Sequence, residues 1–133
     1  MNKRVLQSCL REAVKKLSTD SRSNETNLSH YHHYSFVIIR NEIIEWGRNR
    51  QLKVPLHWGY DNSFQGLHSE MAAYKKASGI LGNSDFDMVN IRLSKKLFML
   101  NSMPCEHCQR MLRELGCGHI WFSTEYGFEK LKL

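Results

Sequence analysis

"HSEMAAYKKASGILGNSDFDMVNIRLS", residues 68–94, sets a helix directly before a strand. Met71, Ala72, Tyr74 and Ala77 suit a helix that Gly79 can end, and "FDMVNIRLS" is a β-branched and apolar run bounded by polar residues. A second pair follows. "PCEHCQRMLRELG", 104–116, reads as a helix opened by Pro104 and stopped by Gly116, with Met111, Leu112 and Leu115 facing inward. "HIWFST", 119–124, is the next strand, and "EYG" is a turn into "FEKLKL", which alternates as a short closing strand would.

Upstream of residue 68, "YSFVIIR" and "EIIEWG" flank Asn41 as the arms of a hairpin. The chain begins with a helix, because Val5, Leu6, Cys9, Leu10, Ala13, Val14 and Leu17 recur three or four apart. "STDSRSNETNLSHYHH", 18–33, is polar and reads as a loop. "RNRQLKVPLHWGYDNSFQGL", 48–67, has no period and reads as a binding or lid segment, or as disorder. The order is helix, strand, strand, helix, strand, helix, strand, strand. A helix between the second and third strands, and another between the third and fourth, suits both crossovers to parallel pairing. Too few residues follow Thr124 for another helix and strand, so the last two strands are expected as an antiparallel hairpin.

With 133 residues the expectation is a single domain spanning 1–133. Hydrophobic residues at 41% and charged residues at 24% are ordinary globular values, and no long apolar run suggests a membrane span. The first 18 residues lack the apolar centre and cleavage site of a secretory signal, so a reducing, cytoplasmic setting is expected. Net charge is +6, which fits an anionic partner such as a nucleotide phosphate or nucleic acid. It fits equally a solvated surface, since the basic residues are spread along the chain.

Cys105 and Cys108 are three apart at the start of a helix, which puts both sulfurs on one side of its first turn. The positive helix end favours thiolates there. Alone, the pair reads as a buried pair of small residues, a redox pair or half of a zinc site. His68 and Glu70 complete the last reading. Two thiolates and an imidazole give zinc three protein ligands, which is the number that leaves a fourth position for water. Zinc makes that water acidic, and a carboxylate that is not a ligand can move its proton. Glu70 is that carboxylate. His107 reads as a surface residue or a neighbour of the ligands, and Cys9 and Cys117 as core.

"HSE…PCEHC" resembles the H-x-E…P-C-x-x-C signature of the zinc-dependent cytidine and deoxycytidylate deaminase superfamily. The resemblance runs from about Tyr34 to the C-terminus and takes in small, phage-type members. It implies a three-layer α/β/α cytidine deaminase-like fold with a mixed five-stranded sheet. It also implies Zn2+ held by His68, Cys105 and Cys108, with Glu70 shuttling protons. Ser69 stands where the family usually has alanine, and its backbone N–H is expected to meet the substrate carbonyl. Asn49 matches the end of a Gly-x-Asn motif and would bind the sugar or base edge; its other reading is a turn asparagine. Pro104 is expected at the substrate as part of the motif; Phe36 weakly resembles a first-strand aromatic that packs on the base, and reads equally as plain core. His57 and Tyr60 could reach the mouth of the site, and Arg48, Arg50 or Lys53 a phosphate.

The implied activity is hydrolytic deamination of a cytosine nucleoside or nucleotide, namely cytidine, deoxycytidine or dCMP, with release of ammonia. The alternative is an editor of single-stranded RNA, DNA or tRNA that uses the charge with Trp58, Tyr60 and Phe64. Self-association as a homo-oligomer is implied by the resemblance alone.

Overall fold

The computed structural model describes residues 1–22, 31–49 and 68–133. Its elements are α1 (Lys3–Arg22), β1 (Tyr31–Ile39), β2 (Glu42–Arg48), α2 (Ser69–Leu81), β3 (Phe86–Ser94), β4 (Met99–Leu100), α3 (Glu106–Glu114), β5 (Cys117–Thr124) and β6 (Gly127–Lys132). The strands form one mixed sheet in the order β2-β1-β3-β5-β6, with the two-residue β4 paired to β3. This is α/β architecture with the expected antiparallel C-terminal hairpin, β5 and β6 closing Thr124 against Gly127.

The sheet has six strands where five were expected, because β4 is too short to leave any periodicity. The crossovers also differ. β3 and β5 are parallel neighbours, as the intervening helix requires, but β1 lies between β2 and β3 and pairs antiparallel with both. The chain thus makes its α2 crossover over a strand already in place. α2 runs through Gly79, where a Cβ would meet open space, and stops at Gly82 with φ 56°. α1 continues to Arg22 and β1 begins at Tyr31, both within the stretch 18–33 read as loop.

Each strand side chain alternates between the two faces, and that alternation sorts the core. Tyr34, Phe36 and Ile38 of β1, with Val89, Ile91 and Leu93 of β3, bury against Val5, Leu6, Cys9, Ala13 and Leu17 of α1. On the other face Val37, Met88, Ile120 and Phe122 pack under Ala73, Ala77 and Leu81 of α2 and Leu112 of α3. With α1 below the sheet and α2 and α3 above it, the layers are α/β/α. β3 is covered on both faces, which explains its nearly continuous apolar run. The β1–β2 turn places Arg40 and Asn41 at φ 51° and 63°, as a two-residue type I′ hairpin needs. At the β2 edge the Trp46 ring is flanked by Lys16 Nζ at 4.2 Å and Lys76 Nζ at 4.6 Å, which ties α1 and α2 to that strand.

No helix among the described residues is long and apolar enough to cross a membrane.

Candidate metal and proton-transfer site

Residues 68 and 70 meet because neither lies mid-helix. His68 is the N-cap of α2, with φ −69° and ψ 148°, and its carbonyl accepts the first helical bond from Ala72 N at 3.0 Å. Extended backbone at the cap turns the imidazole inward, while Glu70 is already in the first turn. α3 begins in the same way. Cys105 is its N-cap, so the helix starts at Glu106, two residues later than the Pro104 start expected from the sequence, and the N–H of Cys108 donates to Cys105 Sγ at 3.5 Å. A thiolate thus fills the role that Ser or Asp usually fills at a helix start. Pro104 precedes the cap, and its carbonyl accepts from Gln109 Nε2 at 2.8 Å.

The two helix N-termini converge, with Met71 and Cys108 buried between them. His68 Nδ1 lies 3.3 Å from Cys108 Sγ and 3.7 Å from Cys105 Sγ. These three side chains are the group among the described residues whose donor atoms all fall within 4.8 Å of one another. A tetrahedral ion bonded at about 2.3 Å to sulfur and about 2.0 Å to nitrogen sets neighbouring N and S donors about 3.5 Å apart. The observed spacings bracket that value, so the donor set fits zinc in both chemistry and size. His107 is not part of the group.

The electrostatics favour charged donors. The Cys105 thiol is pulled down to about 3, first by the hydrogen bond from Cys108 and then by those from His68 and the Cys108 N–H. His68 is pushed up chiefly by its bond to Cys105, with the Glu70 charge adding and burial opposing. Glu70 is 5% exposed, and burial raises its carboxyl above the usual range despite His68 and Ser69.

Glu70 belongs to a buried chain of polar groups. The Ser69 hydroxyl donates to Glu70 Oε1 at 2.9 Å, Ser69 and Ser35 oxygens are 2.7 Å apart, and Ser35 donates to Asn90 Oδ1 at 2.8 Å. Two hydroxyl protons are shared among these three contacts, and either serine can donate across the Ser35–Ser69 contact.

A cleft of about 300 Å³ opens over these groups, lined by His33, Asn49, His68, Ser69, Glu70, Ser102, Met103, Pro104 and Cys105. Asn49 is fixed there at both ends of its backbone bracket: its N–H donates to His33 O at 3.3 Å, and its Oδ1 accepts from His33 N at 3.1 Å. Its amide NH2 is the end left to act as a donor. His33 is held neutral, with its pKa pushed down to about 4 by burial and then by Arg92, His68 and His32.

His68, Glu70, Cys105, Cys108, Asn49, Ser69 and Pro104 are thus brought together. Phe36 is not. It is fully buried under α1, because residue 36 has the opposite strand parity from His33 and Ser35. His57, Tyr60, Trp58, Phe64, Arg50 and Lys53 lie outside the described residues. Arg48 lies over Trp46, 5.7 Å from the ring centre. Sequence reasoning missed His33, Ser35 and Asn90. Period-two reading outward from Ser35 would have placed His33 and Ser35 on one face; no local signal pointed to Asn90.

No protein-family model matches the chain, and no curated protein matches it in sequence. Solved structures do match. A cytidine deaminase from Mycobacterium leprae superposes with a TM-score of 0.60 at 15% identity, over 94% of this chain and 92% of that one. The dCMP deaminase of cyanophage S-TIM5 superposes at 0.58 and 16% identity in its apo form, over 92% of this chain and 84% of that one. Its complex with dCMP and dUMP superposes at 0.58 and 17% identity, over 92% and 82%. The chain has the fold of the cytidine and deoxycytidylate deaminase superfamily.

Proposed function

We propose that this chain is a zinc-dependent deaminase that hydrolyses the exocyclic amine of a cytosine nucleoside or nucleotide and releases ammonia. The observation that carries this reading is the His68–Cys105–Cys108 triangle with the buried, non-ligand Glu70 beside it, at the floor of one cleft. The likeness in fold to cytidine and dCMP deaminases supports the same class of substrate.

His68, Cys105 and Cys108 would hold the ion. Zinc, when bound, supplies acidity to a water in its open position. The remaining steps fall to the chain. Glu70 accepts a proton from the attacking water and delivers it to the ring nitrogen next to the amine-bearing carbon. It then carries a second proton to the amine, which leaves as ammonia while that carbon becomes a carbonyl. A raised carboxyl pKa suits a group that must both take and give protons near neutrality. The Asn49 amide offers donors to a sugar hydroxyl or base oxygen, and the Ser69 backbone N–H faces the position of the base carbonyl in this reading. Met103 and Pro104 line the same cleft and offer apolar surface to a bound base.

The test is ammonia release over cytosine, cytidine, deoxycytidine, their mono- and triphosphates, guanine, adenosine and short single strands, with metal content measured alongside. Turnover of a cytosine nucleoside or nucleotide by zinc-loaded protein is expected. Protein with full zinc that turns over none of them overturns the reading.

A further inference from the structure

The sheet beneath the cleft contains polar groups that packing does not require. On the face of β1 and β3 that meets α2, the neighbours Val37 and Met88 are apolar and fully buried, yet Ser35 is 0% exposed and Asn90 2% exposed. The two are register partners on adjacent strands. Buried hydroxyls and amides cost free energy unless each finds a partner, and an alanine at 35 would fill the space without that cost. Both groups are hydrogen-bonded, and through Ser69 their contacts reach Glu70.

The contacts of Asn90 orient that end of the chain. Asn90 Nδ2 donates to Ser102 O at 3.4 Å, so its Oδ1 faces Ser35 and accepts from that hydroxyl at 2.8 Å. Ser35 in turn meets Ser69 Oγ at 2.7 Å, and Ser69 meets Glu70 Oε1 at 2.9 Å. The far end is anchored as firmly. Ser102 Oγ donates to Asn90 O at 2.9 Å, and the Ser102 N–H donates to Ser123 O at 2.9 Å. Ser102 opens the segment that leads through Pro104 to Cys105. A single hydrogen-bonded path thus runs from the carboxylate on α2, through β1 and β3, to the loop that delivers a metal ligand.

We propose that Ser35 and Ser69 are positioning residues: with Asn90 they form a buried strut that holds the Glu70 carboxyl group in one orientation at the floor of the cleft. Glutamate has three side-chain torsions to restrain, and the Ser69 contact at Oε1 restrains the last of them. Ser35 does not line the cleft, so it acts on the reaction only through Ser69 and Glu70. This role of Ser69 belongs to its side chain and is separate from that of its backbone N–H. The proposal rests on Glu70 being the proton carrier of the preceding reading.

The experiment compares zinc-loaded wild type with Ser35→Ala, Ser69→Ala and the double variant in steady-state deamination of cytidine and dCMP. Exposed Ser78→Ala on α2 is the control. Each single variant is expected to lose roughly ten- to a hundredfold in kcat with KM within about twofold, since a misplaced reacting group costs rate and not binding. The double variant is expected to be no slower than the worse single one, because one strut cannot be cut twice. Additive losses, a loss carried in KM, or no loss at all would overturn the proposal. A second measurement is independent of turnover: the urea midpoint of Ser35→Ala in the presence and absence of Glu70→Ala. A shift that largely vanishes in the Glu70→Ala background supports the strut, and an unchanged shift overturns it. If the wild type turns over neither substrate, the deaminase reading fails, and the strut stands or falls on the unfolding measurement.

Discussion

Gly47 of β2 packs against the backbone of Ala73 in α2. A Cβ on the glycine would stand 2.7 Å from Ala72 C and 2.8 Å from Ala73 Cα, and closer still to Ala73 N. The helix that carries Glu70 and is capped by His68 is therefore seated directly on bare strand backbone. Gly47→Ala is expected to push α2 off the sheet, costing about 1–3 kcal/mol as overpacking does, and to weaken metal retention because His68 moves with the helix. Urea melts and zinc content of the purified variant check this; a variant with wild-type values for both contradicts it.

Glu70→Gln keeps the volume of the side chain and removes its ability to carry a proton. Turnover should fall by about 10²–10⁴-fold, the usual range for loss of an acid–base group. Zinc content should stay the same, because the proposed ligands are His68, Cys105 and Cys108. Ammonia release and metal analysis on one preparation decide it, and a variant of undiminished rate refutes the assigned role.

The four cysteines should separate sharply in their reactivity once metal is stripped by a chelator. Cys105, half-buried and drawn down to about 3, is a thiolate throughout the neutral range. Burial pushes Cys9 and Cys117 up to about 12, helped in each case by a nearby carboxylate, Glu12 and Asp87 respectively. Iodoacetamide at pH 7 should therefore label Cys105 ahead of Cys9 and Cys117, and added zinc should protect it. Peptide mass spectrometry reads the order; Cys105 labelling no faster than Cys117, or ignoring zinc, would count against the metal site.

The same two buried thiols give the fold an alkaline limit. A thiol near 9 in the unfolded chain and near 12 in the folded one releases its proton more readily on unfolding. The unfolded state therefore binds fewer protons between those values, and stability falls as pH rises. The contribution is fully present below pH 9 and is lost as pH climbs towards 12, at roughly 1.4 kcal/mol per pH unit for each cysteine. Cys9→Ala with Cys117→Ala should flatten the decline in urea stability between pH 9 and 11 relative to wild type. Parallel curves for the two proteins would contradict it.

Much of this was legible along the chain. β3 was readable to its ends because a strand buried on both faces is apolar nearly throughout, and the α1 stripe because a helix on one face of a sheet repeats its apolar residues. The four residues that carry the proposed chemistry were legible because metal ligation and proton transfer each demand particular side chains at particular spacings. The misreadings share a cause. Phe36 looked available to a ligand only while its strand parity was unassigned, and parity is settled by which face a neighbouring helix covers. Gly79 looked like a stop, but its position is open to solvent and the helix passes through it.

Which donor atoms the chain would offer to a metal and to a proton follows from residue identity, so sequence alone determined the chemistry available. Where those atoms lie depended on the tertiary structure. Two helix starts 37 positions apart converge only because β1 inserts between β2 and β3 and Gly47 lets α2 settle on the sheet. The Ser35–Asn90 support beneath Glu70 likewise exists only across strands. Such contacts join residues distant along the chain, and local pattern holds no record of them.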